Sequence, residues 1–312
     1  MATSLTSHRP DLAVALKLSA IFLFSVMAAL VKATSEDVPA GEAVFFRSFF
    51  AIPVILVWIA AKGELRSGLI AHRPMGHFWR GIIGTSAMGM TFAGLGLLPL
   101  PEVTAIGYAT PIFTLILAAV MLGERIRMVR ISAVLVGLVG VLIMVWPRLG
   151  GGAGLHDAAA LGALLILGST MLRALVQIHI RRMVETERTS AIVFYFSATA
   201  SVLSLLTAPF GWVMPAGETA LQLVLAGIVG GMAQILLTSS YRFGPASMLA
   251  PYDYASMLFA ILIGYAWFGE VPTLVMLSGA ALVIAGNILV IWREHHLGLL
   301  RARARSVSDP KA

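Results

Sequence analysis

Residues 104–124 read TAIGYATPIFTLILAAVMLGE, and residues 250–270, which lie 146 positions later, read APYDYASMLFAILIGYAWFGE. The two stretches share a Tyr-Ala pair near the start, a phenylalanine in the middle and a Gly-Glu pair at the end. Each is mainly apolar over about 20 residues, the length that an α-helix needs to cross about 30 Å of hydrocarbon. The two stretches therefore predict two equivalent membrane-spanning helices in a chain with an internal repeat.

The repeat extends well beyond these two stretches. The same shift of 146 residues aligns further glycine, proline and tryptophan residues, which are Gly81 with Gly227, Gly84 with Gly230, Pro99 with Pro245, Gly140 with Gly286 and Trp146 with Trp292. Apolar segments often match by chance, but these residue types are harder to align by chance. We therefore divide the chain into a first five-helix half, 12–146, a glycine-rich linker, 147–157, a second five-helix half, 158–292, and a basic cytoplasmic tail, 293–312.

The composition excludes an ordinary soluble domain. Of the 312 residues, 59% are hydrophobic and 12% are charged, whereas a soluble domain has about 45–50% apolar and about 25% charged residues. The chain contains no cysteine, which excludes disulfides, thiolate zinc sites, iron–sulfur clusters and cysteine nucleophiles. No His-Glu-x-x-His pattern occurs. No other motif supports a catalytic nucleophile, so we predict no enzymatic activity, no cofactor and no metal.

Ten apolar runs are long enough to span a membrane. They cover residues 12–31, 42–61, 81–98, 102–122, 127–146, 158–179, 189–208, 218–239, 247–268 and 271–292. Because five is an odd number, the second half enters the membrane in the opposite orientation to the first. The sequence thus predicts an all-α polytopic membrane protein with ten transmembrane helices in two inverted five-helix repeats, an arrangement typical of secondary transporters.

The positive charges predict the orientation. With both termini in the cytoplasm, 18 of the 22 lysine and arginine residues fall in cytoplasmic segments, Lys17 and Arg80 among them. The outer loops hold only Lys32 and Arg148. This asymmetry follows the positive-inside rule and predicts a multi-pass protein of the inner membrane. It also explains the net charge of +7 without a nucleic-acid partner. An alternative for the first span is a cleaved signal peptide, although the apolar run is long for one.

The ten spans, the five-plus-five repeat and the two spans that end in Leu122-Gly123-Glu124 and Phe268-Gly269-Glu270 resemble the drug/metabolite transporter superfamily, EamA type. Phe45-Phe46-Arg47-Ser48 in span two resembles the subgroup that includes riboflavin and S-adenosylmethionine uptake carriers. The resemblance covers nearly the whole chain. It implies transport without ATP hydrolysis and a central cavity lined mainly by spans one, three, four, six, eight and nine.

Two ionisable residues within the spans are candidates for a substrate site, because charged side chains inside lipid are costly and usually face a cavity or a partner. Arg173 in span six and Asp253 in span nine each lie about six residues from the cytoplasmic end, roughly 9 Å deep. They either contact a substrate together or form a structural pair that joins two spans. Gln177 lies one turn from Arg173 on the same helical face. Asp253 is also a candidate for binding a coupling proton.

Other polar and small residues in the spans are expected to be structural. Arg47 in span two is expected to pair with Glu102 at the outer end of span four, since the family resemblance places span two at the periphery. Glu270, at a helix end, is expected to hold nearby backbone amides. Gly227 and Gly231 form a small-xxx-small pattern, which predicts close packing between helix backbones.

Aromatic side chains gather near two prolines. Pro111 in span four and Pro251 in span nine each remove an intrahelical hydrogen bond and favour a kink. The aromatic residues near these kinks and in spans one and three are Tyr108, Tyr252, Tyr254, Phe24 and Phe92. Aromatic rings around a cavity suit a flat or cationic ligand, although aromatic residues in spans also pack or face lipid. Ser25 and Gln234 are polar candidates for orienting such a ligand, or for hydrogen bonds between helices.

The sequence therefore predicts a carrier that moves a small metabolite by alternating access. Uptake of an aromatic, vitamin-like compound such as riboflavin is the first expectation. Uptake or efflux of S-adenosylmethionine or an amino-acid-type metabolite is the second. A non-transporting scaffold or a lipid-handling subunit is the alternative from another class, and a polar cavity at mid-membrane would distinguish a carrier from a scaffold. The expected partners are a small-molecule substrate, the lipid bilayer, a coupling proton and a second copy of the chain.

Overall fold

The computed structural model describes residues 9–65, 67–110, 112–114, 116–117, 128–149, 158–183, 186–215, 217–243, 249–286 and 288–289. Every regular element within these ranges is a helix, which confirms the all-α prediction for this part of the chain. Pro111, the Gly123-Glu124 pair, linker residues 150–157 and the basic tail lie outside the described residues.

The helices follow the order of the predicted spans. They are α1 Pro10–Ala33, α2 Ala40–Ala61, α3 Pro74–Leu97, α4 Leu100–Gly107, α5 Met128–Leu149, α6 Ala158–Met183, α7 Thr189–Leu205, α8 Gly217–Phe243, α9 Ala255–Phe268 and α10 Leu274–Gly286. A 3₁₀ turn, Ala250–Tyr254, precedes α9. Each helix overlaps the predicted span of the same rank.

Four of the described helices are long and apolar enough to cross a membrane, namely α1, α2, Ala158–Ile180 within α6 and Gly217–Ser240 within α8. The helix α3 has 24 residues, but it is rich in glycine and carries Arg80. The described apolar parts of α7 and α10 are shorter. Length and composition alone therefore identify fewer spans than the ten that the repeat predicts.

Several prolines coincide with helix boundaries, although Pro53 lies inside α2. Pro10 and Pro74 lie in the first turn of α1 and α3, where a missing N–H group costs no intrahelical hydrogen bond. The helix α4 ends at Gly107. In a continuous helix the Gly107 carbonyl would accept a hydrogen bond from the N–H of residue 111, but residue 111 is a proline and has no N–H. Thr110 Oγ1 donates to that carbonyl instead, at 2.8 Å. In span nine, Pro251 lies in the 3₁₀ turn before the α-helix begins.

Helices of the two halves pack against each other. The helix α1 lies along α8, and α3 lies along α6; α2 packs on α7 and α8, and α3 packs on α7. Helices that are equivalent in the repeat are five apart in number, so α1 corresponds to α6 and α3 to α8. The α1–α8 contact therefore corresponds to the α6–α3 contact, and the α2–α8 contact corresponds to the α7–α3 contact. The helix α1 also contacts α9, so it is an integral part of the bundle.

Small residues permit the contact between α2 and α8. A Cβ atom at Gly227 would lie 2.5 Å from the Cβ atom of Phe50, and one at Gly231 would lie 3.1 Å from the Cα atom of Ala51. Real Cβ atoms essentially never approach another heavy atom within 3.0 Å. The small-xxx-small pattern is therefore the surface on which α8 meets α2, as predicted.

Candidate substrate cavity

A cavity of about 210 Å³ lies where α1, α2 and α3 of the first half meet α6, α7 and α8 of the second half. Its wall is mainly apolar and includes three phenylalanines, Phe24, Phe92 and Phe196. The polar side chains in the wall are Arg47, Arg80, Thr91, Arg173 and Gln234. Three arginine side chains from three different helices therefore line one small, largely apolar space.

Arg47 lies in the middle of α2 and is only 4% exposed. Its guanidinium carbon lies 5.7 Å from the ring centroid of Phe196, which is a cation–π distance. Its buried Nε and Nη1 atoms have no hydrogen-bond partner among the residues that the structure describes. Gly230 on α8 provides the space beside it, since a Cβ atom there would lie 3.2 Å from Nε.

Arg80 approaches the same phenylalanine from α3. It is 8% exposed, and its guanidinium carbon lies 4.0 Å from the Phe196 ring centroid. Its Nε and Nη1 atoms are buried and, within the described ranges, lack a hydrogen-bond partner. Gly84, one turn along α3, makes this position possible, because a Cβ atom there would collide with Arg80 Nη1 and with the Phe196 ring. Since Arg47 and Arg80 share one ring, their guanidinium groups are neighbours.

Arg173 enters the cavity from α6. Its Nη2 atom donates to Ser169 Oγ over a long distance of 3.4 Å. Its buried Nε atom has no hydrogen-bond partner in the part of the chain that the structure describes. A Cβ atom at Gly107 would lie 3.6 Å from Nη2, so Arg173 reaches the point where α4 ends. An arginine side chain stays protonated in proteins, and the cavity wall therefore carries three positive charges.

Four of the ten predicted substrate-site residues line this cavity: Phe24, Phe92, Arg173 and Gln234. Two others have local partners. Ser25 Oγ donates to the carbonyl of Ile21 in its own helix at 3.0 Å, and Gln177 Oε1 accepts from Thr114 Oγ1 at 3.2 Å. Those two contacts connect side chains along or between helices, so they do not by themselves place Ser25 or Gln177 at the cavity.

The three predicted tyrosines lie at the junction of span four with span nine. The Tyr108 and Tyr254 rings pack edge to face with their centroids 5.3 Å apart. Tyr108 Oη lies 3.2 Å from the carbonyl oxygen of Tyr254 and 2.8 Å from Ser256 Oγ. Tyr252 is half-buried in the 3₁₀ turn. The structure thus brings Tyr108 and Tyr254, which are equivalent in the repeat, into direct contact.

The expected pairing of Asp253 with Arg173 is wrong, and the partner of Asp253 is Lys17. Lys17 Nζ lies 2.7 Å from Asp253 Oδ1. The Lys17 side chain is 3% exposed, whereas that of Asp253 is 52% exposed. Lys17 is therefore a buried residue of α1. The charge pattern had instead placed it in a cytoplasmic segment.

Arg47, for which Glu102 was a candidate partner, lies over Phe196 and lines the cavity. This cavity is lined by spans one, two, three, six, seven and eight, whereas the family resemblance implied spans four and nine in place of two and seven. Sequence reasoning missed Arg80, which it assigned to a loop. Pro74 was the available signal, since a proline at the first helical position starts α3 six residues before Arg80.

Glu270 holds a second ion pair, at the other end of α1. Its Oε1 atom lies 3.0 Å from Lys32 Nζ, and its Oε2 atom accepts from the backbone N–H of Leu100 at 2.8 Å. Lys32 Nζ also donates to the carbonyls of Leu95 and Leu98 at 3.1 and 2.7 Å. Glu270 therefore binds a backbone amide, as predicted, and joins the end of α9 to α1 and α4.

The comparisons with known proteins agree with this architecture. The EamA-like transporter family matches residues 11–146 and again residues 160–292. A pseudopaline exporter of Pseudomonas aeruginosa is 31% identical over 89% of this chain and 93% of that protein. An S-adenosylmethionine uptake transporter of Rickettsia prowazekii is 28% identical over 81% of this chain and 83% of its own length. A riboflavin transporter of Rhizobium johnstonii is 25% identical over 82% of each.

One solved crystal structure superposes with a TM-score of 0.64 at 23% identity, and the match covers 91% of this chain and 98% of the other. At that identity the likeness concerns the fold alone. The named relatives are all membrane transporters, and two of them carry the substrates that the resemblance of span two suggested. The two matches of one family together cover most of the sequence, and the chain belongs to the EamA-like transporter family.

Proposed function

We propose that this protein is a secondary transporter that moves a small metabolite across the bacterial inner membrane by alternating access, with both termini in the cytoplasm. The observation that carries the proposal is the cavity between the two halves, where buried arginines and aromatic rings converge. A cavity lined by helices of both halves can open to either side when the halves exchange conformations. A non-transporting scaffold would have no need for three cationic side chains around an open space, two of them buried.

Several observations support two inverted repeats as the basis of this transport. The family matches twice, at positions separated by nearly the length of one half. Each main contact between the halves has a counterpart between the two helices that are equivalent in the repeat. Tyr108 and Tyr254, which are 146 residues apart, touch each other, and contact between equivalent residues is expected near a twofold axis.

The substrate is proposed to be a small metabolite that uses both the aromatic and the polar parts of the wall. The relatives named above carry pseudopaline, S-adenosylmethionine and riboflavin, so transport of either expected compound is a reasonable hypothesis for this chain. Pockets for drug-sized ligands have about 300–1,000 Å³, whereas this cavity has about 210 Å³. It therefore fits a solute of amino-acid size as it stands, and riboflavin would require it to widen.

The test is transport by the purified full chain in proteoliposomes, with labelled riboflavin, S-adenosylmethionine and L-glutamate, loaded inside or added outside, with and without a pH gradient. Ala87 and Ser86 offer a matched pair of variants, because Ala87 is buried in the cavity wall and its neighbour Ser86 is exposed. We expect Ala87→Leu to abolish the flux by filling the cavity, and Ser86→Leu to retain it. Equal flux in both variants, after correction for folded protein, would contradict transport through this cavity.

Proton coupling is tested in the same vesicles. If Asp253 carries the coupling proton, a pH gradient accelerates transport in the wild type and not in Asp253→Asn. Equal rates for both proteins under every gradient would exclude this role for Asp253. Dimerisation is tested separately by cross-linking in the membrane.

A further inference from the structure

The lysines of α1 and the arginines of the cavity differ in their partners. Both lysines of α1 have acidic partners: Lys17 lies 2.7 Å from Asp253 Oδ1, and Lys32 lies 3.0 Å from Glu270 Oε1. The three arginines at the cavity have nitrogen atoms without a hydrogen-bond partner among the described residues. Within the described part of the chain, the lysines of α1 are thus neutralised, whereas buried nitrogen atoms of the cavity arginines have no hydrogen-bond partner.

An uncompensated buried charge is expensive, since the effective penalty is several kcal/mol per ion even after relaxation. Cation–π contact with Phe196 offsets part of this cost for Arg47 and Arg80. It also brings two like charges onto one ring, which adds repulsion between them. A purely structural role would be served better by fewer charges, so the arrangement favours a role in binding.

The cavity wall is preorganised for an anion. Gly84 and Gly230 leave space for the guanidinium groups of Arg80 and Arg47. Guanidinium groups present a planar fork of donors that matches carboxylate and phosphate oxygens and can bind them in a bidentate manner. Gln234 on α8, which also lines the cavity, adds an amide that can either donate or accept.

We propose that the cavity binds its substrate through an anionic group, and that the substrate is a water-soluble organic anion with at least one carboxylate or phosphate group held by Arg47, Arg80 and Arg173. The proposal rests on the proposed function, since it names the substrate class of the same cavity. The apolar part of the substrate packs against Phe24, Phe92 and Phe196, while Gln234 orients it.

The test measures ligand-induced stabilisation of the purified full chain in an uncharged maltoside detergent, followed by the fluorescence of its six tryptophans. The probes are succinate, L-glutamate and inorganic phosphate, each compared with sodium chloride of equal ionic strength. Succinamide serves as the uncharged analogue of succinate. A ligand that binds only the folded state raises Tm, and we expect at least one anion to raise it by about 2–5 °C in a saturable manner.

Variants of two of the cavity arginines assign the effect to the site. We expect Arg80→Gln and Arg173→Gln each to reduce the apparent affinity at least tenfold, and Arg80→Lys to retain part of it. Arg188→Gln is the matched control, because the Arg188 side chain is 50% exposed outside the cavity, and it should behave as the wild type. If a glutamine variant does not fold, the comparison of succinate with succinamide on the wild type still decides the question.

Several results would overturn the proposal: no anion stabilises the protein beyond sodium chloride, succinamide is as effective as succinate, or the glutamine variants keep the wild-type affinity. Stabilisation by phosphatidylglycerol alone would assign the site to a lipid headgroup and would also overturn it. Failure of the transport hypothesis has a different signature, namely saturable stabilisation by anions without flux in proteoliposomes. Flux of uncharged riboflavin that no anion inhibits would instead support transport and exclude the anion site.

Discussion

Lys17 Nζ lies 2.7 Å from Asp253 Oδ1, which joins the first half of α1 to the 3₁₀ turn before α9 across 236 residues of sequence. Lys17 is almost fully buried, whereas Asp253 is half-exposed and can be solvated. The charge of Lys17 therefore needs the ion pair for its stabilisation more than the charge of Asp253 does. Asp253→Asn leaves a buried ammonium group without its acidic partner. We expect it to lower the stability by about 1–3 kcal/mol, less than for a fully buried pair, measured by thermal unfolding in detergent.

The double variant distinguishes an ion pair from two independent effects. Lys17→Met removes the buried positive charge that Asp253→Asn deprives of its carboxylate, so the double variant should be more stable than the Asp253→Asn single variant. Replacement of a buried ion pair by apolar or neutral groups is often neutral or stabilising. Strictly additive losses in the double-mutant cycle would show that the two residues do not interact energetically.

Gly84 and Gly89 lie on the same helix, and we expect a glycine-to-alanine substitution to have opposite effects on stability at the two positions. Gly84→Ala places a methyl group against Arg80 Nη1 and the ring of Phe196, whereas a Cβ atom at Gly89 meets nothing within 4 Å. We expect Gly84→Ala to lower the stability by about 1–3 kcal/mol through overpacking and to weaken anion binding by moving Arg80. Gly89→Ala should raise the stability by roughly 0.5–1 kcal/mol, because alanine favours a helix.

The measurement for this pair is Tm together with succinate titration of both proteins. If Tm changed by the same amount in both variants, the absence of a side chain at Gly84 would not be needed to accommodate Arg80 and Phe196. An unchanged succinate affinity in Gly84→Ala would show that the position of Arg80 does not matter for anion binding.

The helices could be predicted because the apolar runs and the 146-residue repeat can be read directly from the order of the residues. The ion pairs could not be predicted, because Lys17 and Asp253 are brought together only by packing of α1 on span nine. Arg80 was placed in a loop because its charge interrupted an apolar run, although Pro74 starts the helix earlier. Arg47 was expected at the periphery because the family resemblance places span two there, whereas α2 packs on α7 and α8.

Glu187, in the loop between α6 and α7, predicts an acid-sensitive contact. Burial tends to raise the pKa of its carboxyl group, but hydrogen bonds from the backbone N–H groups of His72 and Arg73, together with the nearby His77 side chain, outweigh burial and lower that pKa below 4.5. His72 Nδ1 and His77 Nε2 lie 3.6 and 3.3 Å from its Oε2 atom. The His77 ring in turn packs on Tyr195 of α7, with ring centroids 4.9 Å apart.

Because the folded-state pKa of Glu187 is depressed, its contribution to stability is present above the unfolded pKa of about 4.5 and disappears as the pH falls through the lower folded value. Glu187→Gln should therefore be less stable than the wild type at pH 6–7, and the difference should shrink below pH ~4. Glu64→Gln is the control, since the Glu64 side chain is 45% exposed and lies 3.9 Å from Arg188, and such surface pairs contribute little. A stability difference between Glu187→Gln and wild type that is constant from pH 7 to pH ~3 would contradict this assignment.

The two ion pairs of α1 predict opposite effects on access to the cavity. Lys17 and Lys32 are fifteen residues apart on α1, about 22 Å along its axis, and they hold the two ends of span nine through Asp253 and Glu270. If the halves alternate, loss of one pair frees the helices at that end and favours the conformation that opens there. Because the chain contains no cysteine, a single introduced cysteine reports access without removal of native thiols.

Met88→Cys places this reporter in the cavity wall, and Ser86→Cys, which is exposed on the same helix, is the control. We expect Glu270→Gln to raise labelling of Cys-substituted position 88 by an impermeant maleimide from the outer side and to lower it from the cytoplasmic side. Asp253→Asn should do the reverse, as measured in right-side-out and inverted vesicles. Equal changes from both sides would indicate local loosening, and no change in either variant would exclude both ion pairs as contacts that hold the alternating states.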